Sequence, residues 1–144
     1  MKKVLFTALL LASASVSATD LGLSVGRDQA VRKDVAALSV GTSVVGLKAT
    51  ASLSTVRDTY SAVSGSVGKS FDVVKSVSVT PSIGLQRINP DRGIIGYAAV
   101  AGVEGAYALS KDTALVASFS HRYDVKDAAA FKGNQVTAGL KVSF

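Results

Sequence analysis

The sequence predicts an all-β fold, an eight-stranded antiparallel transmembrane β-barrel with both termini on one side of the membrane. Apolar and polar residues alternate with period two from about residue 20 to the last residue, Phe144, as is typical of strands that separate two environments. Helical periodicity is weak throughout, and no segment carries clear capping signals. The fold class therefore rests on strands alone.

The first 18 residues have the pattern of a cleaved secretory signal peptide. Lys2 and Lys3 precede the apolar stretch 4–11, and Val16-Ser17-Ala18 supplies small residues for cleavage. The apolar stretch is too short to span a membrane, although an uncleaved anchor helix is the alternative. We expect residues 19–144 to form a single outer-membrane barrel domain. It has no cysteine, so an exported chain of this size must be stable without disulfides, as a closed sheet in a bilayer is.

Alternating runs separated by turn residues predict eight strands. They cover about 20–27, 35–44, 47–57, 60–71, 76–87, 94–109, 112–124 and 135–144. An even number of strands returns the chain to its starting side, as bacterial barrels require. Pro81 does not fit, because it lies mid-strand and cannot donate a ladder hydrogen bond. A bulge there or a different strand boundary would resolve the conflict.

The polar face of these strands favours a membrane barrel over a soluble, lipocalin-like one. A soluble barrel turns its polar face to water, so that face should carry many Lys and Glu residues. Here it carries mostly Ser, Thr and Gly, as in Ser39, Gly41, Ser43, Thr50, Ser52, Ser54, Ser78, Thr80, Ser82 and Gly84. Small polar residues suit a narrow lumen. The charged fraction of 18% is also below the ~25% of soluble domains.

The connections predict the orientation of the barrel. Residues 44–46, 72–75 and 110–111 form tight turns, whereas 28–34, 88–93 and 125–134 are longer and more polar; 58–59 is the short exception. Short periplasmic turns and longer outer loops are the rule for such barrels, which places both termini in the periplasm. Outward aromatics are expected at two levels: Phe71, Tyr107 and Phe144 near the periplasmic ends, and Tyr60, Tyr97 and Tyr123 near the outer ends.

The last strand gives the most specific pattern. Val136, Ala138, Leu140, Val142 and Phe144 share one face, and the chain ends on the aromatic residue. We expect this strand to pair with the first one near 21–25 and close the barrel. With the signal peptide, strand count and loop asymmetry, it makes the chain resemble small eight-stranded bacterial outer-membrane β-barrel proteins of the opacity or attachment-invasion type.

This resemblance implies a location in the outer membrane of a Gram-negative bacterium and insertion by the barrel-insertion machinery, which reads the strand ending at Phe144. It does not imply one function, because adhesion, surface protection, lipopolysaccharide interaction and narrow porin-like pores all occur on this fold. We expect a non-enzymatic barrel with a structural, surface-interaction or partner-docking role. A narrow passive pore is the alternative.

Three charged residues are predicted to meet inside the lumen. Glu104, the single glutamate, and Lys48 and Lys141 all have the inward phase. A buried carboxylate without a partner is costly, so we predict an ion pair from Glu104 to Lys141 or Lys48. It would serve packing, or alternatively gate a pore.

Two further sets of residues are candidates for contacts outside the lumen. The outer rim is predicted to carry a ring of basic residues, either ordinary solvated loop charges or ligands of lipopolysaccharide phosphates: Arg27, Arg32, Lys33, Arg57, Arg87 and Arg92.

Small outward residues allow close approach of another protein. Such patches are predicted at Ala49 and Ala51 and at Ala99 and Ala101, with docking of a protein partner or a second copy as one reading and simple tolerance of Ala in lipid as the other.

Catalytic chemistry has little support. His121, the single histidine, is expected to face outward between Phe119 and Tyr123, whereas Ser118 and Ser120 face inward. A base cannot activate a serine through the barrel wall, which argues against a lipid A-modifying enzyme. We expect no catalytic residue, metal site or cofactor. The formal charge of +6 is spread over strand ends and loops, so we expect no nucleic-acid partner.

Overall fold

The computed structural model describes residues 20–144. The predicted signal peptide, residues 1–18, lies outside the described residues. The elements are β1 (Asp20–Asp28), β2 (Lys33–Val44), β3 (Leu47–Val56), β4 (Tyr60–Gly68), β5 (Phe71–Val74), β6 (Val77–Pro90), β7 (Gly96–Ala108), β8 (Thr113–Lys126), the short 3₁₀ helix Ala129–Phe131 and β9 (Gly133–Ser143). Within this part of the chain, no helix is both long enough and apolar enough to cross a membrane.

The strands form one closed antiparallel barrel. Apart from β4 and β5, strands that follow each other along the chain pair with each other, and β9 pairs with β1 in the register Leu21↔Val142 and Val25↔Ala138. β4 and β5 both pair with β6, so together they make one interrupted strand and the barrel has eight strands. The predicted fold class and the predicted closure between the first and last strands are confirmed.

The interruption between β4 and β5 lies opposite Pro81. The Lys69 backbone N–H donates to the Pro81 carbonyl at 3.2 Å, and Pro81 has no N–H with which to return the bond. The ladder fails there, and its register shifts again between Asp72 and Val74. The prediction of one continuous strand over 60–71 is therefore wrong. The proline keeps its place in β6, and the strand beside it breaks.

The two ends of the barrel differ. We call the end with residues 29–32, 57–59, 91–95 and 127–132 the loop end, and the end with Asp20, Ser143 and turns 45–46, 75–76 and 109–112 the terminus end. The connections at the two ends of the barrel differ less in length than the sequence predicts. The reason is that β8 and β9 each extend into the predicted last loop and shorten it. In the turn 45–46, Val45 and Gly46 have φ of 52° and 77°, as a two-residue hairpin turn requires.

The wall has an apolar outer face and a mostly polar inner face. Leu23, Ile83 and Leu85 point outward and are 63%, 73% and 67% exposed, which suits contact with lipid. Five of the six predicted outward aromatics are at least 45% exposed, namely Phe71, Tyr97, Tyr107, Tyr123 and Phe144. Fully buried apolar side chains gather inside the loop end: Val35, Val56, Tyr60, Ala62, Ile88, Ala98 and Ala128, with Val31 and Phe131 packed against them.

Candidate functional site

A buried cluster of Asp28, Tyr60 and Arg122 closes the lumen at the loop end; we call it the loop-end cluster. The side chains of Arg122 and Asp28 are 1% and 0% exposed, and Tyr60 is 1% exposed. Arg122 Nη2 donates to Asp28 Oδ2 at 2.5 Å and Nη1 donates to the Tyr60 hydroxyl at 2.6 Å. The Tyr60 hydroxyl in turn donates to Asp28 Oδ2. Each polar group thus has a charged partner, which offsets part of the cost of burial.

The loop-end cluster also holds two loops in place. Asp28 Oδ1 accepts hydrogen bonds from the backbone N–H groups of Ala30 at 2.9 Å and Val31 at 3.4 Å, which shapes residues 29–32 as an Asx turn. In the last loop, the Phe131 ring packs edge-on against Tyr60 with centroids 5.1 Å apart. The first and last loops therefore share one buried anchor.

Sequence reasoning missed this cluster. It placed Asp28 in the loop 28–34 and Tyr60 at an outward aromatic level, and both assignments are wrong. Asp28 continues β1 by one residue in the inward phase of Ser24 and Gly26, and Tyr60 pairs with the inward Val56. Because side chains alternate with period two, a strand end misplaced by one residue changes the face. The sequence did contain one indication of this cluster: Arg122 alternates in phase with Ser120 and Asp124, which places its side chain inside the lumen.

The terminus end holds a second charge cluster, in which the structure brings the three predicted lumen residues together. Lys141 Nζ donates to Glu104 Oε1, and Lys48 Nζ lies 3.7 Å from the same oxygen. Asp20, which the sequence analysis did not select, lies 2.9 Å from Lys48 Nζ and accepts a hydrogen bond from Ser143. We call these four charged residues the terminus-end cluster.

Between the two clusters lies a cavity of about 180 Å³. Half of the residues that line it are Ser or Thr, and two pairs of their hydroxyl groups bond across strands: Ser52 and Ser64 at 2.6 Å, and Ser118 and Thr137 at 2.7 Å. Arg122 borders it on one side, and Lys48 and Glu104 border it on the other. The lumen is therefore a short polar chamber between two groups of ion pairs.

The predicted basic rim is only partly assembled. Arg27, Arg32, Lys33 and Arg57 line one open depression outside the loop end, together with Asp34 and Asp58; we call it the rim depression. Arg27 is held by Asp34 at 3.4 Å and by the Arg32 carbonyl at 2.9 Å. Arg87, on β6, and Arg92, in the loop 91–95, do not line it.

The remaining predicted residues lie on the outer wall. Ala51 and Ala49 pair with Gly65 and Val67, and the exposed Leu85 and Ile83 separate them from Ala99 and Ala101. His121 faces outward as expected; its Nδ1 lies 2.6 Å from Asn134 Oδ1, and its ring meets Tyr123 edge-on at 4.5 Å. Within residues 20–144, no group of three His, Cys, Asp or Glu is placed to hold a metal ion.

Comparison with known proteins identifies the fold. No protein-family model and no curated protein matches the sequence, but solved structures match over 88–89% of this chain. The N-terminal β-barrel domain of Pseudomonas aeruginosa OprF gives a TM-score of 0.74 at 16% identity over 98% of its chain. Neisserial surface protein A gives 0.60 at 17% identity over 94%, and the Yersinia pestis outer membrane protein Ail gives 0.56 at 12% over 99%. The fold is that of the eight-stranded outer-membrane β-barrels.

Proposed function

We propose that the chain is a non-enzymatic integral protein of the bacterial outer membrane whose lumen does not conduct and whose outer surface carries its role. Both termini lie in the periplasm in this proposal, so the loop end faces the outside. The likeness of the fold to outer-membrane barrels supports the location. The strand that ends next to Phe144 would be the one read by the insertion machinery.

Closure of the lumen at the loop end is the observation that carries this proposal. A conducting pore needs a continuous water path, but the loop-end cluster and the apolar side chains around it leave almost no exposed atom there. Ile88, Val56 and Ala98 are 0%, 1% and 1% exposed. An ion would have to displace tightly packed apolar groups and break a buried ion pair, each of which is costly. The narrow passive pore therefore remains the second candidate.

Conductance in planar bilayers tests the choice between these candidates. We expect the refolded wild-type chain to give no discrete current steps. Glu104→Gln should also give none, because it loosens only the terminus-end cluster and leaves the loop end closed. Steps in the wild type would support the pore instead, and steps in Glu104→Gln alone would make the terminus-end cluster a gate. Heat-dependent migration in gels confirms that both proteins are folded.

Lipopolysaccharide is the surface ligand that the charge pattern favours. Four cations and two carboxylates line the rim depression, and arginine matches the geometry of phosphate. In the proposed orientation the depression would lie at the level of the outer lipid headgroups, because the loop-end connections β1–β2 and β3–β4 form it. A protein partner or a second copy could instead dock against the small residues of the outer wall.

Retention of lipopolysaccharide during purification tests the rim depression. At roughly 0.5 kcal/mol for each exposed cation, changing Arg27, Arg32, Lys33 and Arg57 together to Gln should weaken binding roughly thirty-fold. The matched control is Arg87→Gln with Arg92→Gln, which removes basic residues that do not line the depression. Equal retention by the wild type and both variants would contradict the assignment.

A further inference from the structure

The cavity in the lumen is closed more tightly at the loop end than at the terminus end. At the loop end it is sealed by the buried side chains described above. At the other end its border is formed by Lys48 and Glu104, whose side chains are 16% and 30% exposed. The terminus end is therefore the side from which a small molecule would enter.

Within the described part of the protein, three of the residues that line this pocket carry a buried side-chain polar atom that has no hydrogen-bond partner. The atoms are Ser54 Oγ, Gln86 Oε1 and Arg122 Nε, on residues that are 5%, 6% and 1% exposed and that all line the cavity. Buried polar atoms are nearly always satisfied. Arg122 Nε can only donate, Gln86 Oε1 can only accept, and the serine hydroxyl can do both. Each of these three side chains therefore lacks a partner that a molecule in the adjoining pocket would supply.

The charges around the pocket are balanced. Arg122 is neutralised by Asp28, while Lys48 and Lys141 are matched by Asp20 and Glu104. No unpaired charge is left to select an ion. A wall of hydroxyl groups, with mixed donors and acceptors, suits a neutral molecule that carries several hydroxyls of its own.

We propose that this pocket binds a small uncharged polyhydroxy compound that enters from the terminus end. Its volume of about 180 Å³ corresponds to about six liquid water molecules, which limits the ligand to the size range of glycerol and erythritol. The hydroxyls of the ligand would replace water at Ser54, Gln86 and Arg122. This site is separate from the outer surface to which the function is assigned above.

Nuclear magnetic resonance of the refolded full chain in micelles tests the proposal, with erythritol as the probe. The side-chain N–H signals of Gln86 and Arg122 report directly on the pocket. We expect both to shift saturably on titration. Ser64→Leu, which fills the pocket from β4, should abolish the shift, whereas Ser61→Leu, on the outward face of the same strand, should preserve it.

Several outcomes would overturn the assignment. A shift that rises linearly without saturation, or one that persists in Ser64→Leu, would place the effect outside the pocket. Saturable shifts with sodium phosphate but not with erythritol would reverse the class of ligand. An absence of any shift with erythritol, in a protein whose Gln86 and Arg122 signals are resolved, would leave the chamber as a hydrated space and refute the site.

Discussion

Replacing Arg122 by Met should lower the free energy of unfolding by about 3–5 kcal/mol, the usual cost of breaking a buried ion pair from one side. Methionine fills similar space but cannot satisfy the Asp28 carboxylate, which is 0% exposed. The Tyr60 hydroxyl loses its donor as well. Because Asp28 also shapes the first loop, the damage should spread from the lumen to the loop end.

Urea unfolding in lipid vesicles, followed by circular dichroism and by heat-dependent gel migration, measures this loss. Arg27→Met is the matched control, since Arg27 pairs with Asp34 at 3.4 Å but is 62% exposed, and exposed pairs contribute about 0.2–1 kcal/mol. Adding Asp28→Leu to Arg122→Met should recover part of the stability, because no buried charge is then left unpaired. Equal losses from Arg122→Met and Arg27→Met would show that the loop-end cluster is energetically unimportant.

Period-two alternation, together with the Ser-, Thr- and Gly-rich polar face, predicted the fold. In a barrel wall each strand separates lumen from surroundings along its whole length, so every strand carries the pattern independently. The alternation of residues 136–144 and the start of the first strand near 21–25 predicted the closing pair, and β9 and β1 do pair. The interruption after Gly68 was not predicted, because its cause, Pro81, lies in the neighbouring strand.

The loop-end cluster could not be predicted from local sequence patterns, for a different reason. Its contacts join residues 32, 62 and 94 positions apart, so they depend on strand register across the barrel. Three of the four residues of the terminus-end cluster could be predicted, because Glu104 is the single glutamate and few inward cations can face it; Asp20 was not predicted. The rim prediction grouped six residues by type, but Arg87 and Arg92 belong to a different part of the circumference from the first two hairpins.

The seam between β1 and β9 should be the part of the barrel least tolerant of added side-chain bulk. A Cβ atom at Gly139 would lie 2.0 Å from the Leu23 carbonyl oxygen, and one at Gly26 would lie 1.9 Å from the Val136 carbonyl oxygen. These neighbours are backbone atoms, so no side-chain rotation can relieve the contact. The two glycines thus allow the first and last strands to approach closely enough to close the sheet.

Gly139→Val should therefore destabilise the barrel by about 3 kcal/mol or more, at or beyond the top of the usual range for overpacking, and should reduce the folded fraction after insertion into vesicles. Gly65→Val is the matched control: a Cβ at this outward position meets nothing within 4 Å, and valine favours strands, so its free energy of unfolding should stay within about 0.5 kcal/mol of the wild type. Heat-dependent gel migration gives the folded fraction, and urea titration gives the stability. If Gly139→Val matched Gly65→Val in both measurements, barrel closure would not depend on the small residues of this seam. If Gly139→Val alone lost stability and folded fraction, the terminal strand would need close backbone contact with β1, as well as its alternating apolar face, to close the barrel.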